Sequence, residues 1–217
     1  MPKVYLLGGE NVSKRSAKEV NKRAFEDAGG NPNVLVFPWA RAYFDQKYQK
    51  RKLLVDYFRS LGAESVDFVE YDHLEQIKEK VTQANLVYLT GGQTSVLIER
   101  IKTMKLDEQL RNYRGVIVGR SAGALALCKK ALTTCRSNSK IKIVDGVGLV
   151  DITMKAHYRS IKDELLKPLS FEEPFYAVPS RSALVYENSQ LWAIGKVYFF
   201  FKGKRQIFNG ASLKETC

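Results

Sequence analysis

The chain has 217 residues, of which 45% are hydrophobic, a size and composition that suit one compact domain over residues 1–217 and argue against disorder. The longest apolar runs are too short to cross a bilayer, and the first residues lack the apolar core of a signal peptide. The net charge is +12, but the basic residues are spread along the chain among acidic ones, which predicts a solvated surface rather than a nucleic-acid interface.

The first half of the chain alternates short apolar strands with amphipathic helices. The predicted strands are 3–7, 34–37, 66–71, 86–89 and 115–119. The predicted helices are 13–28, 42–61, 74–83, 95–104 and 125–130. Strands without internal polar alternation that are joined by helices indicate a parallel sheet covered on both faces. The expected fold class is therefore α/β, a three-layer sandwich around a mostly parallel sheet.

The second half of the chain has a different pattern, with short strand-like runs from Leu132 onward and one helix around 161–169. The later runs are separated by turn residues and predict an antiparallel C-terminal β extension: 176–178, 183–186, 190–194, 197–201 and 205–208. We find no internal repeat and no long linker, so a single domain is expected.

Residues 119–123 match G-x-S-x-G and lie between an apolar strand and a predicted helix. This is the context of a nucleophile elbow, in which a strained turn carries a serine hydroxyl above the carboxyl edge of the sheet. The residues around the serine must be small because the strand and helix backbones nearly touch there. Ser121 is therefore the candidate nucleophile, and the alternative is a glycine-rich turn whose serine has no chemical role.

A serine nucleophile needs a general base, and the sequence contains two histidines, His73 and His157. His157 follows the strand-like run 150–156, so it can lie at an edge of the sheet. His73 follows Asp72, which has the position of a helix N-cap, and this predicts a surface location in the first helical turn. We therefore expect His157 to be the base.

A Thr-Gly-Gly-Gln-Thr segment follows the fourth predicted strand at 90–94. Glycine at such a position lets the backbone approach a ligand and present an N–H group. The N–H of Gly91 or Gly92, together with that of Ala122, could form an oxyanion hole. The alternative is a plain turn before a helix. A Gly-Gly pair ends the first strand similarly, but no phosphate-loop pattern follows it.

These motifs resemble the dipeptidase E and cyanophycinase family of serine peptidases, which have the class I glutamine amidotransferase-like, flavodoxin-type fold. The order and spacing of the segments agree over nearly the whole chain: 89–94, 119–124, 146–158 and 191–195. The resemblance implies Ser121 as nucleophile, His157 as base, and oxyanion donors at Ala122 and at Gly92 or Gly91. It also implies hydrolysis of small peptides, often with an acidic residue at the amino end. A glutamine amidotransferase is disfavoured because its elbow carries Cys.

The sequence departs from the family pattern at the third triad member, the carboxylate that orients the imidazole. In dipeptidase E relatives an Asp follows a Thr-Thr pair, whereas here Thr133 and Thr134 precede Cys135 and Arg136. In the cyanophycinase branch an acid precedes a late Ala-Leu-Val strand, whereas residues 179–185 contain no acid.

Other carboxylates are poorly placed by the sequence. Asp151 would lie about 20 Å from His157 at the rise of a strand. Glu172, Glu173 and Glu187 could reach the site only through an unforeseen loop path. The acid therefore comes from elsewhere, or a Ser–His pair works with a weaker orienting group, or catalysis has been lost. Loss of the acid alone can cost about four orders of magnitude in rate.

Three arginines are candidate substrate-binding residues. Arg120 adjoins the nucleophile, Arg159 lies two residues after the base, and Arg41 follows the second strand. Two of them in one cleft would bind a substrate carboxylate through charge-assisted hydrogen bonds. The alternative is that each side chain points to solvent.

The expected function is a serine peptidase for short, acidic peptides, and the alternative is a weakened or inactive relative that binds peptides or small ligands. Nucleic-acid binding is disfavoured, since the sequence shows no recognition helix, zinc spacing or aromatic platform. The three cysteines, Cys128, Cys135 and Cys217, lack metal-ligand spacing and are typical of reduced thiols. We therefore expect a cytoplasmic monomer or homodimer without a metal or cofactor.

Overall fold

The computed structural model describes residues 1–41, 51–71, 74–134, 141–208 and 211–212, which form two β-sheets and their covering helices. The helices are α1 Lys18–Asp27, α2 Arg51–Arg59, α3 Leu74–Gln83, α4 Thr94–Thr103, α5 Asp107–Asn112, α6 Ala122–Leu127 and α7 Asp163–Leu166. The first seven strands are β1 Lys3–Leu7, β2 Asn33–Phe37, β3 Ser65–Phe68, β4 Leu86–Leu89, β5 Val116–Arg120, β6 Cys128–Thr134 and β7 Ile141–Asp145. The remaining strands are β8 Val150–Ala156, β9 Phe175–Val178, β10 Ala183–Glu187, β11 Gln190–Ile194, β12 Tyr198–Phe201, β13 Lys204–Ile207 and β14 Ala211–Ser212.

The first sheet has the strand order β14-β11-β10-β1-β5-β4-β2-β3. The five strands β1, β5, β4, β2 and β3 are parallel to one another. Beyond β1, the strands β10, β11 and β14 follow, and each pairs antiparallel with the strand before it. Because the carboxyl ends of parallel strands meet at one edge, the segments that follow β1, β4 and β5 lie close together. Gly91 and Gly92 follow β4 and Ser121 follows β5, so these candidate functional residues lie at this edge.

Both faces of the first sheet are covered, as expected for a three-layer α/β sandwich. Alternate residues of β1 enter different cores, because successive side chains of a strand point to opposite faces. Tyr5 and Leu7 pack with α1 and α2, whereas Val4 and Leu6 belong to a core shared with α3 to α6 and the second sheet. The predicted fold class is confirmed.

The second sheet has the order β13-β12-β9-β8-β6-β7. Its inner face joins the core around α6, and its outer face packs under α7 through Leu132, Phe175 and Leu166. The predicted antiparallel extension is divided between the two sheets: β10 and β11 extend the first sheet together with β14, which was not predicted, and the antiparallel pair β12–β13 lies in the second sheet. One part differs from the prediction: β9 belongs to the second sheet and pairs with β8 in parallel.

Several predicted boundaries also differ. The helix predicted to reach residue 130 ends at Leu127, and Cys128 begins β6 instead. The helix predicted at 161–169 is divided into α7 and two short 3-10 segments, and α7 ends before Pro168, which lacks the N–H that a continuous helix needs. The short helix α5 was not predicted. Part of the second predicted helix, 42–50, and the segment 72–73 with His73 lie outside the described residues.

Cys128 is a free, buried thiol, whereas Cys135 and Cys217 lie outside the described residues. Over the described part of the chain, no helix has both the length and the apolar character needed to span a bilayer.

Candidate active site

Ser121 lies at a sharp turn between β5 and α6. Its backbone has φ 55° and ψ −106°, a conformation that L-residues rarely adopt and that is found at strained functional turns. The turn is held in place because the Ser121 N–H donates to the carbonyl of Leu7 in β1, at 2.9 Å. Ser121 therefore lies on a strained strand-to-helix turn, at the position where the motif predicts a nucleophile.

The glycines on either side of Ser121 are required by close backbone packing. A Cβ added to Gly119 would lie 2.6 Å from the backbone nitrogen of Ala124. A Cβ added to Gly123 would lie 2.3 Å from the carbonyl oxygen of Leu89. Real Cβ atoms do not approach backbone atoms this closely, so the elbow can close only with glycine at both positions.

The imidazole of His157 meets the hydroxyl of Ser121. The distance from Ser121 Oγ to His157 Nε2 is 2.7 Å, which is a short hydrogen bond. His157 follows the last residue of β8 and has a positive φ of 52°. Its N–H donates to the carbonyl of Gly8 at 2.9 Å, which ties the end of β8 to the end of β1. Two residues 36 positions apart are thus brought into one hydrogen-bonded pair.

The segment after β1 encloses the other side of the imidazole. A Cβ on Gly9 would lie 2.2 Å from Cε1 and 2.4 Å from Nδ1 of His157. The Gly9 carbonyl accepts a hydrogen bond from the N–H of Arg181 at 2.8 Å, so the same glycine also fixes the segment before β10. The Gly-Gly pair at the end of β1 therefore makes room for the imidazole, a role that the sequence motif alone did not indicate.

The second ring nitrogen of His157 contacts another hydroxyl. The distance from His157 Nδ1 to Ser180 Oγ is 3.1 Å. Ser180 lies just before β10, at the position where the sequence resemblance led us to look for an acid. Sequence reasoning missed it because only carboxylates were sought. A hydroxyl can either accept from or donate to the ring, so it orients the imidazole without fixing its tautomer as a carboxylate would.

Three of the four carboxylates considered from the sequence pair with lysines, and the fourth, Glu172, is exposed. Asp151 pairs with Lys129 at 2.8 Å, and Glu173 pairs with Lys130 at 2.6 Å. Glu187 lies 3.4 Å from Lys3. Among the residues that the structure describes, no carboxylate is hydrogen-bonded to His157. Cys135 and Arg136, which follow the Thr-Thr pair, lie outside those residues.

The surroundings of His157 favour the neutral imidazole. Burial lowers the pKa of His157 below its ordinary value of 6.5, and the positive charges of Lys155, Arg120 and Lys162 lower it further. Each of these effects penalises the imidazolium. A neutral imidazole with one unprotonated nitrogen can accept the proton of a serine hydroxyl at neutral pH.

The candidate oxyanion donors lie beside Ser121. A Cβ on Gly91 would be 3.3 Å from Ser121 Cβ, and a Cβ on Gly92 would be 2.0 Å from the Ala40 carbonyl oxygen. The backbone of this segment therefore packs closely against both the elbow and the end of β2. Within the described ranges, the N–H groups of Gly91, Gly92 and Ala122 donate to no backbone carbonyl. They remain the predicted oxyanion donors.

Ser121 and His157 open into a cavity of about 620 Å³. The described residues of its lining include two lysines and no Asp or Glu: Gly92, Gln93, Thr94, Ser95, Ser121, Leu125, Thr133, Thr134, Lys142, Val144, Lys155, Ala156 and His157. A larger cavity of about 980 Å³ lies near Asn85 and Gly115, which precede β4 and β5 at the opposite edge of the sheet. That cavity contains neither Ser121 nor His157, so chemistry rather than size identifies the candidate site.

The three predicted arginines differ in their surroundings. Arg120 is 8% exposed, and its positive charge is one of those that lower the pKa of His157. Arg159 is exposed, and Arg41 is partly buried. None of the three is among the described residues that line the 620 Å³ cavity, whose basic groups are Lys142 and Lys155.

The family model of peptidase family S51 matches residues 4–194, a span that includes the elbow, the histidine and Ser180. The chain belongs to peptidase family S51. The predicted relationship to the dipeptidase E family is thereby confirmed, and the protein is a hydrolase of the serine peptidase type.

Two solved structures share the fold with this S51 chain. The crystal structure of a peptidase from an acI-B1 Actinobacterium is similar with a TM-score of 0.73 at 20% identity, and covers 98% of this chain and 97% of that one. A candidate peptidase E protein from Listeria monocytogenes EGD-e gives a TM-score of 0.68 at 16% identity, covering 89% of this chain and 98% of that one. At these identities the likeness is one of fold. No curated protein matches the chain significantly.

Proposed function

We propose that this S51 chain hydrolyses short peptides, in particular dipeptides with an acidic amino-terminal residue, through an acyl-enzyme formed on Ser121. The observation that carries the proposal is the 2.7 Å contact between Ser121 Oγ and His157 Nε2 at a strained turn. A serine hydroxyl hydrogen-bonded to a neutral imidazole is the nucleophile and base pair of acyl transfer.

The chemistry follows from the positions of these groups. Ser121 Oγ attacks the peptide carbonyl carbon while its proton passes to His157 Nε2, and the carbonyl oxygen becomes an oxyanion. The free N–H groups of Ala122 and of Gly92 or Gly91 stabilise that oxyanion. Collapse of the intermediate breaks the C–N bond, and the leaving amine takes the proton from His157. Water then attacks the ester by the same route and releases the acid and Ser121.

Ser180 has the role of the orienting group in this proposal. When its oxygen accepts a hydrogen bond from Nδ1–H, Nε2 is left unprotonated and faces the nucleophile. The hydroxyl carries no charge, so it stabilises the imidazolium less than a carboxylate would. We therefore expect a working but slow enzyme.

An acidic substrate is favoured by the charge of the cavity. Lys142 and Lys155 line it, whereas its described lining has no Asp or Glu. A carboxylate group entering this cavity would meet positive charge and no like charge. Arg120, Arg159 and Arg41 remain predicted contributors that lie outside the lining.

Active-site labelling tests the proposal. A fluorophosphonate probe should label the wild-type protein and fail to label Ser121→Ala. Ser95→Ala is the matched control, because Ser95 lines the same cavity but lies in α4 away from His157. Ser95→Ala should label as the wild type does, and equal labelling of Ser121→Ala would remove Ser121 from the mechanism.

A second candidate is a non-catalytic binding protein, and Ser180 in place of a carboxylate is the observation that favours it. This candidate predicts no turnover of Asp-Xaa or Glu-Xaa dipeptides but a rise in Tm when they are added. Turnover that depends on Ser121 would exclude it.

A further inference from the structure

Lys155 is a buried cation at the edge of the active-site cavity. Its residue is 4% exposed, and it lies in β8, two positions after Thr153. Residues two apart in a strand point to the same face, so Lys155 and Thr153 share the outer face of the second sheet. Lys130 of β6 is on this face too and is neutralised by Glu173, which also accepts a hydrogen bond from Thr153. Lys155 has no such acidic partner among the described residues.

The contacts that Lys155 makes with the described residues leave one of its three ammonium donors without an acceptor. Its Nζ donates to Thr134 Oγ1 and to the Ala156 carbonyl oxygen, each at 3.1 Å. An ammonium has three N–H donors, and these two acceptors are both uncharged. Burying a cation without a counter-ion is unfavourable, so an anion that binds to the Lys155 ammonium would reduce this free-energy cost.

The ammonium is still charged at neutral pH. Burial and the neighbouring charge of Lys162 lower the pKa of Lys155 from 10.5 to about 8. The protonated form therefore predominates at pH 7, and a bound carboxylate would stabilise it further.

Lys155 and Thr134 line the same cavity as Ser121 and His157. Lys155 and His157 both line this cavity, and after burial the charge of Lys155 is the largest contribution to the lowered pKa of His157. The sequence that continues from Thr134, residues 135–140, contains Arg136 and Lys140 but no Asp or Glu. An acid from this segment is therefore not available to neutralise Lys155.

We propose that Lys155, held by Thr134, is the subsite that binds the side-chain carboxylate of the amino-terminal residue of the substrate. The proposal rests on the proposed function for the position of the reacting carbonyl, but the anion site itself requires only the geometry of Lys155 and the cavity. Lys155 is then the residue that sets the preference for acidic peptides, and the three arginines are not needed for it.

The test compares substrates that differ in one carboxylate. For the wild type, we expect kcat/KM for Asp-Leu to exceed that for Asn-Leu by roughly 10- to 100-fold, the worth of one charge-assisted hydrogen bond. In Lys155→Met this preference should fall to about threefold or less, because kcat/KM for Asp-Leu should fall much further than kcat/KM for Asn-Leu. Lys162→Met is the matched control, because Lys162 also lowers the pKa of His157 but does not line the cavity. It should keep the preference for Asp-Leu.

A third substrate identifies which carboxylate is bound. Asp-Leu amide lacks the terminal carboxylate, and its kcat/KM should respond to Lys155→Met as that of Asp-Leu does. A preference that survives Lys155→Met, or that follows the terminal carboxylate instead, would overturn the assignment.

Binding measurements separate this proposal from the proposed function. L-Aspartate and L-asparagine can be titrated calorimetrically against Ser121→Ala and against Ser121→Ala combined with Lys155→Met, which requires no turnover. Tighter binding of aspartate that is lost with Lys155 supports the subsite even if fluorophosphonate labelling fails. Equal binding of the two amino acids to Ser121→Ala would overturn the subsite even if labelling succeeds. Circular dichroism confirms folding of each variant.

Discussion

The Nδ1 atom of His157 lies 3.1 Å from the hydroxyl oxygen of Ser180, so the imidazole that contacts Ser121 is oriented by a neutral group. This relationship explains how the site keeps its geometry without a carboxylate among the described residues. It also implies that the site is incompletely tuned for catalysis, because a hydroxyl neither fixes the tautomer nor balances the charge of the imidazolium.

The first prediction is that kcat depends on the residue at position 180, rising with a carboxylate and falling when the hydroxyl is removed. Ser180→Asp supplies a carboxylate at the same position, and kcat should rise at least about tenfold, since loss of the acid in a complete triad costs about four orders of magnitude. Ser180→Ala should lower kcat by roughly 2- to 10-fold with little change in KM. Steady-state hydrolysis of Asp-Leu measures both. Ser95→Asp is the control, because it adds an acid to the cavity away from Nδ1; an equal rise in kcat there would contradict the assigned role of Ser180.

The second prediction concerns the space that Gly9 leaves for the imidazole. In Gly9→Ala the new Cβ would lie 2.2 Å from Cε1 of His157, so the ring must move away from Ser121. A displacement of about 1 Å can cost about 100-fold in rate, and we expect a loss of that size in kcat/KM. Gly148→Ala is the control, because its φ of 66° is also positive but its Cβ would meet nothing within 4 Å. It should lose stability by about 1 kcal/mol while keeping its activity. A fully active Gly9→Ala would contradict the packing described for His157.

The third prediction is the position of the acid limb of the pH profile. Because burial and three positive charges lower the pKa of His157, kcat/KM should rise to its plateau below pH 6.5. Lys155→Met removes one of these charges and should shift the limb to higher pH. The same shift affects stability, because the unfolded chain binds the histidine proton more tightly than the folded chain does. The free energy of unfolding should therefore be unaffected by this group above pH 6.5 and should fall as the pH drops from 6.5 toward the folded pKa. An acid limb above pH 6.5 in the wild type would contradict the description of the site.

The fourth prediction is a basic limit to the preference for acidic substrates. The pKa of Lys155 is lowered to about 8, so the ratio of kcat/KM for Asp-Leu to that for Asn-Leu should decline as the pH rises past this value. Lys162→Met removes a charge that lowers this pKa, and the decline should move to higher pH. A ratio that stays constant to pH 9.5 in the wild type would show that another cation binds the carboxylate.

The parallel half of the fold was predictable from the sequence because each of its strands and helices is indicated by a pattern of neighbouring residues. Apolar runs such as Leu86–Leu89 are followed by glycine-containing turns and helices, and these patterns indicate a covered parallel sheet. The turn at Ser121 was predictable for the same reason, since the close packing at Gly119 and Gly123 requires glycine, and these glycines form the G-x-S-x-G motif. His157 was identified because the sequence offers just two histidines.

The rest of the fold and of the candidate site depends on contacts between residues that are far apart in the sequence. Residues 128–130 were predicted as the end of a helix, and it is the pairing of β6 with β7 and β8 that makes them part of a strand. Likewise nothing in Phe175–Val178 indicates that it pairs in parallel with β8. Ser180 was overlooked because its hydroxyl is common in sequences and gains its role only through its contact with His157. In the sequence Lys155 resembles any other lysine, because its burial and its lack of an acidic partner among the described residues depend on the fold.

The measurement that tests the central claim most directly is a pre-steady-state burst with a p-nitrophenyl ester of aspartate. If Ser121 forms an acyl-enzyme, the wild type should release p-nitrophenol in a burst stoichiometric with the protein, and intact mass should show the acyl group on Ser121. His157→Ala should abolish the burst, while Ser95→Ala should retain it. A burst of the same amplitude in Ser121→Ala, or an acyl group found on another residue, would contradict the account.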